Sequence, residues 1–113
     1  MSLDVYLEND VCKMCHAGGT VFDANITHNL GKMAKHAGIY ECLWRPDEHD
    51  FYSANDIIPR LTEGLRLLKK YPEFFQEFDA PNDWGLYIHF VPWVEAYLNA
   101  CIKYPNSKVH VSR

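Results

Sequence analysis

A chain of 113 residues with a formal charge of −4 at pH 7 has the size of one domain and can bury a core without covalent help. Its apolar share of 48%, with 14% aromatic, excludes a disordered chain, and its acidic balance argues against a nucleic-acid partner held through phosphates. No apolar run reaches the roughly 18–20 residues of a bilayer span, and MSLDVYLEND lacks the basic and apolar regions of an export signal, so the expectation is a cytoplasmic protein with no membrane partner.

Residues 2–7 alternate as a short strand, with Leu3, Val5 and Leu7 on one face. The following VCKMCHAGG is a tight turn and TVFD a second short strand, so residues 1–24 predict a hairpin with a CxxC turn at its tip. Asn25 or Thr27 can cap a first helix, which places Ile26, Leu30, Met33, Ala34 and Ala37 on one face. His28, Lys32, Lys35 and His36 fall on the other, and Gly38 supplies the stop. Residues 39–44 read as a buried connector or short strand, and residues 45–50 as a loop, because Pro46 biases Arg45 out of the α region.

Ser53 and Asp56 resemble a capping box for a second helix carrying Ile57, Ile58, Leu61, Leu65 and Leu68, with Pro59 in its opening. A short helical turn over residues 73–78 turns Phe74, Phe75 and Phe78 inward. Asn82 or Asp83 caps a third helix over residues 84–103, in which Pro92 makes a kink or delays the start. Val109 and Val111 alternate in a last strand at residues 108–112, expected to pair with the first. The sum is one α+β domain over residues 1–113: a hairpin, a helical part at 25–105 and a C-terminal strand, forming a small antiparallel sheet with three main helices packed on it.

Four cysteines in such a chain read as metal ligands or core thiols before they read as disulfides. Cys12-x-x-Cys15 in a glycine-rich turn can grip zinc. Two further ligands come from His16, His28, His36, His49 or Cys42, with His28 favoured because the hairpin leads back to the first helical turn. The alternative is a pair of free thiols. CKMCH also spells the c-type haem string, but haem attachment takes place on the exported side of a membrane, and the βαβ context of a thioredoxin-like site is missing. Cys42 and Cys101 read as buried small hydrophobes.

A second constellation joins Asn25, His28 and Asn29 to Trp44, Arg45, Asp47, Glu48 and His49, and could hold an anion or a planar ligand. The bland reading is a capping Asn25, an Arg45 paired with a surface acid and a His28 satisfying a carbonyl. Trp84, Tyr87, Phe90, Trp93 and Tyr97 form an aromatic stripe that reads as core, with Trp93 or Tyr87 as the ring that could line a partner groove. No Ser-His-Asp order, HExxH motif or glycine-rich phosphate loop occurs.

At MSLDVYLE, NITHNLGKMA, AGIY, LWRP, WGLY, FVPW, YLNAC and VSR, almost the full length, the chain resembles a family of small proteins found in phage and prophage genomes and their bacterial hosts. That family carries either a CxxC-Gly turn or an unrelated insertion between its first two strands. His16 replaces that glycine here. The variability implies that zinc would stabilise the hairpin and leaves Asn25-x-x-His28-Asn29 with Trp44-Arg45-Pro46 as the shared segment. The resemblance implies an accessory protein in the cytoplasm of a bacterial host, acting by binding a host or phage protein. The alternative is a small metal-dependent or small-molecule-binding enzyme centred on His28. A pocket converging on His28 favours that alternative, and a filled interior with a flat aromatic patch favours the first reading.

Overall fold

The computed structural model describes residues 2–9 and 19–113, so Cys12, Cys15 and His16 lie outside the described residues. Strands β1 (Ser2–Asn9), β2 (Gly19–Thr27) and β3 (Lys108–Ser112) form an antiparallel sheet in the order β2-β1-β3. Leu3, Val5 and Leu7 are fully buried, and their partners Ile26, Ala24, Phe22, Val109 and Val111 share their face. The opposite face carries Asp4, Tyr6 and Glu8 with Asp23, Asn25 and His110. A register shift at Leu7/Glu8 leaves Val21 as the extra residue of a bulge.

β2 is longer than the sequence predicts. Asn25 pairs with Asp4 in the ladder, and its amide donates to Ser2 Oγ (3.0 Å) and Asp4 Oδ1 (2.6 Å), so it caps nothing. Thr27 is the cap, accepting from Asn29 N at 3.3 Å ahead of a 3-10 turn, His28–Leu30, that runs into α1 (Gly31–His36). Gly38, at φ +78, ends α1 as expected. The next segment is not a strand but a helix, α2 (Tyr40–Trp44), which buries Cys42, Leu43 and Trp44, and Pro46–Glu48 is a second 3-10 turn.

Helix α3 (Ala54–Lys70) opens on the capping box: Asp56 Oδ2 accepts from the N–H groups of Ser53 and Tyr52, each at 3.0 Å. Its first amides also bond the approach to β3, Ala54 N to Ser107 O and Asn55 N to Pro105 O, both 2.9 Å. Helix α4 (Pro72–Gln76) buries Phe75 but leaves Phe74 46% exposed, against the inward expectation, because Phe74 stands edge-on to Phe75 and Phe78 at the surface. Helix α5 (Tyr87–Lys103) starts three residues later than predicted, and its first amide is capped by Asp79 Oδ1 at 2.6 Å, not by Asn82 or Asp83. Pro59 and Pro92 sit at the same place in α3 and α5, five residues after the first. The carbonyls deprived of a donor belong to Asn55 and Ile88, both exposed, so water can take them and the helices continue.

The core lies between the sheet's inner face and the α3–α5 pair. Ile57, Leu61 and Leu68 from α3 meet Phe90, Val94 and Tyr97 from α5, and Phe22 stacks on Tyr97 at 5.7 Å. Each such side chain contributes about 1.5–3 kcal/mol by leaving water. Gly64 of α3 packs directly against the α1–α2 corner: a Cβ there would overlap Ile39 Cγ2. Among the described residues no helix is long and apolar enough to cross a membrane.

Candidate functional site: a cationic groove between α1 and α2

The corner at Gly38 and Ile39 folds α2 back beside α1 and opens a groove of about 750 Å³ between them. One wall is the face of the first helix: His28, Lys32, Lys35 and His36, at spacings of three and four. The other is Tyr40, Trp44 and Arg45 from α2 and its end, with Arg113 from beyond β3. Gly31 forms part of the lining, and a Cβ there would meet only Tyr40, with Cε2 at 3.6 Å.

Trp44 is 3% exposed, and its Nε1 donates to His28 Nδ1 at 2.8 Å. An indole nitrogen can only donate, so Nδ1 must accept and the neutral ring carries its proton on Nε2. His28 therefore offers a ligand an N–H. While this bond stands Nδ1 is engaged, and the two thiols expected to share a zinc with His28 lie outside the described residues. Tyr40 stacks on Trp44 with 5.3 Å between centroids and 13° between planes, and Lys35 Nζ lies 4.7 Å from the Tyr40 centroid. The two rings thus cover a face of each other, and the Lys35 ammonium lies against Tyr40. Lys32 Nζ lies over Phe78 at 5.6 Å.

Arg45 Nη1 pairs with Glu48 Oε2 at 3.0 Å, as the bland reading expects, and Arg45 is pushed up from its ordinary value first by a hydrogen bond with Tyr40 and then by Glu48. Arg113 Nη1 donates to Trp44 O and Asp47 Oδ1, both 2.9 Å, clipping the end of β3 to the 44–47 segment. The Arg113 bond holds the Asp47 carboxyl below its ordinary range. These pairs are exposed and contribute little to stability, so their effect is to orient the guanidinium groups.

Of the expected site residues, His28, Trp44 and Arg45 converge. Asn25 lies on the sheet's outer face. Asn29 is engaged elsewhere, its amide donating to Trp84 O at 2.7 Å and so fixing the 80–86 loop. There Gly85 has φ +118, and its Cβ would stand 2.9 Å from Asn29 Cβ. Trp84 itself is 69% exposed. Trp93 belongs to the core edge, stacked on Phe90 and edge-on to Tyr97, away from the groove lining. His49 is exposed beside Phe51 and does not line the groove. Cys42 and Cys101 are buried, and burial pushes both thiols up to about 12, the behaviour of core thiols. Among the described residues no three His, Cys, Asp or Glu side chains gather as a metal site.

Compared with family models, curated proteins and solved structures, the chain finds no match. The groove must therefore be read from its own chemistry. Sequence reasoning missed Lys32, Lys35, Tyr40 and Arg113. The lysines were legible as one helical face with His28, but that pattern also describes an ordinary solvated face. Nothing in the chain order brings Arg113 to Trp44.

Proposed function

We propose that the protein is a small binding protein of phage or prophage type that holds an acidic group of a protein partner in the α1–α2 groove. The observation that carries this reading is local charge. Lys32, Lys35, Arg45 and Arg113 line the groove with two histidines and, among the described residues, no lining carboxylate. Glu48 and Asp47 pair with the two arginines from its edge and leave the two lysines as its excess charge, in a chain whose formal charge is −4. Such a concave patch attracts an anion against the repulsion of the molecule as a whole. The lining offers donors and cations, and His28 presents its N–H, so the chemistry that supports the reading is the holding of an anion. The pocket converging on His28 thus moves the reading toward ligand binding without making it an enzyme.

The test is a titration of the isotope-labelled full chain with a hexaglutamate peptide, followed by amide shifts. Shifts gathered on residues 28–45 and lost in Lys32→Glu/Lys35→Glu support the reading; a groove silent to this peptide and to every other anion offered sinks it. Zinc on Cys12 and Cys15 is a separate proposal. One equivalent of bound metal, absent from Cys12→Ser/Cys15→Ser, is the expected result, and metal-free protein under reducing conditions refutes it.

A further inference from the structure

The groove's charges do not cancel, and the remainder specifies a ligand class. Two of its four permanent cations are already balanced, Arg45 by Glu48 at 3.0 Å and Arg113 by Asp47 at 2.9 Å. Among the described residues Lys32 and Lys35 have no carboxylate partner. Their ammonium groups lie over the rings of Phe78 and Tyr40, at 5.6 and 4.7 Å, and a ring face steadies an ammonium without neutralising it. The uncompensated charge is therefore two units. A carboxylate or a phosphodiester supplies one, whereas a phosphate monoester supplies about 1.5–2 at pH 7. His28 adds a neutral donor, because Trp44 holds its Nδ1 and leaves Nε2–H for a ligand oxygen. Gly31, with no side chain, keeps the lining open between the lysine wall and Tyr40.

The geometry points to a dianionic phosphomonoester as the group the groove takes, its charge balanced by Lys32 and Lys35 and one oxygen accepting from His28. This rests on the reading of the groove as an anion site and narrows it. The same chemistry can arrive on a phosphorylated side chain of a protein partner or on a free phosphorylated metabolite.

The experiment titrates the full chain, at one ionic strength and pH 7.5, with methyl phosphate, dimethyl phosphate, acetate and hexaglutamate, following amide shifts of residues 28–45. Methyl phosphate is expected to bind at least tenfold more tightly than dimethyl phosphate or acetate. That preference disappears in Lys32→Gln/Lys35→Gln, whose melting temperature stays within about 8 °C of the parent because both lysines are exposed. A Lys103→Gln control keeps it. Should hexaglutamate bind while the monoester and diester bind alike, the phosphomonoester assignment falls and the anion-binding reading stands. Silence toward all four ligands overturns both. A phosphoserine peptide and glycerol phosphate then separate the sources: the tighter of the two identifies a phosphorylated protein or a metabolite, and failure of both to outbind dimethyl phosphate overturns the assignment.

Discussion

Two helical glycines make opposite predictions from the same substitution. Replacing glycine by alanine inside a helix stabilises by up to about 1 kcal/mol through backbone entropy. At Gly31 the new methyl group meets only Tyr40, with Cε2 at 3.6 Å, an ordinary contact, so Gly31→Ala is expected to keep most of that gain. At Gly64 the methyl group would overlap Ile39 Cγ2 and lie 3.1 Å from the Ala37 carbonyl oxygen. Ile39 is fully buried and the carbonyl is backbone, so the α1–α2 corner must move. Overpacking of this kind costs about 1–3 kcal/mol and occasionally more, which outweighs the entropy gain. With about 4–8 °C of melting temperature per kcal/mol in a domain near this size, Gly64→Ala should melt up to about 15 °C lower and Gly31→Ala a few degrees higher. Thermal unfolding followed by circular dichroism, with urea midpoints as a check, reads both. A Gly64→Ala protein as stable as the parent would refute the argument, because the corner it is said to hold is the one that forms the groove. Gly31→Ala carries a second expectation, weaker anion binding in a more stable fold, since its methyl group enters the lining.

Asp56 is held below its ordinary value of 3.8, chiefly by the N–H of Ser53 and then that of Tyr52, so its stabilisation is present above the unfolded value and is lost as pH falls through the folded one. Asp56→Ala should cost about 0.5–1 kcal/mol at pH 7 and leave a flatter acid limb below about pH 4; an unchanged acid limb would reject the assignment. Among the described residues the buried Tyr97 hydroxyl has no partner, nor has Trp93 Nε1, so Tyr97→Phe is expected to raise stability by about 1 kcal/mol, measured as an increased urea midpoint at constant slope. A lower midpoint would mean the hydroxyl is satisfied. Cys42 and Cys101, pushed up to about 12 by burial, should resist a thiol reagent at pH 8 until the chain unfolds, and mass spectrometry of the labelled native protein at those two positions checks it.

The parts legible in the sequence are those where a local pattern and the tertiary environment agree. Alternation in residues 2–7 and 108–112 marks the sheet face, and the Ser53–Asp56 pair marks the start of α3, because strand period and cap geometry are local. Asn25 misleads because a polar residue before an amphipathic run looks like a cap, while its backbone is claimed by a strand 21 residues earlier. Residues 39–44 read as connector or strand because an unbroken run of buried and half-buried positions has no clear period, and the α2 helix depends on the return at Gly38. In the site, His28, Trp44 and Arg45 group correctly from the sequence, yet the chemistry between them does not follow from it. That an indole chooses His28 Nδ1, and that Arg113 arrives from the last strand, are facts of packing across 16 and 69 residues.

The two prolines give the longest helices an uneven grip along their length. Where Pro59 and Pro92 leave the Asn55 and Ile88 carbonyls to water, the opening turns should exchange their amide protons early, while the turns around Leu68 and Leu98 hold theirs until the whole molecule opens. The first amides of α3 are held by the carbonyls of Pro105 and Ser107, and these residues lead directly into β3, which Arg113 follows. The front of that helix and the far side of the groove are thus joined by one short stretch of chain.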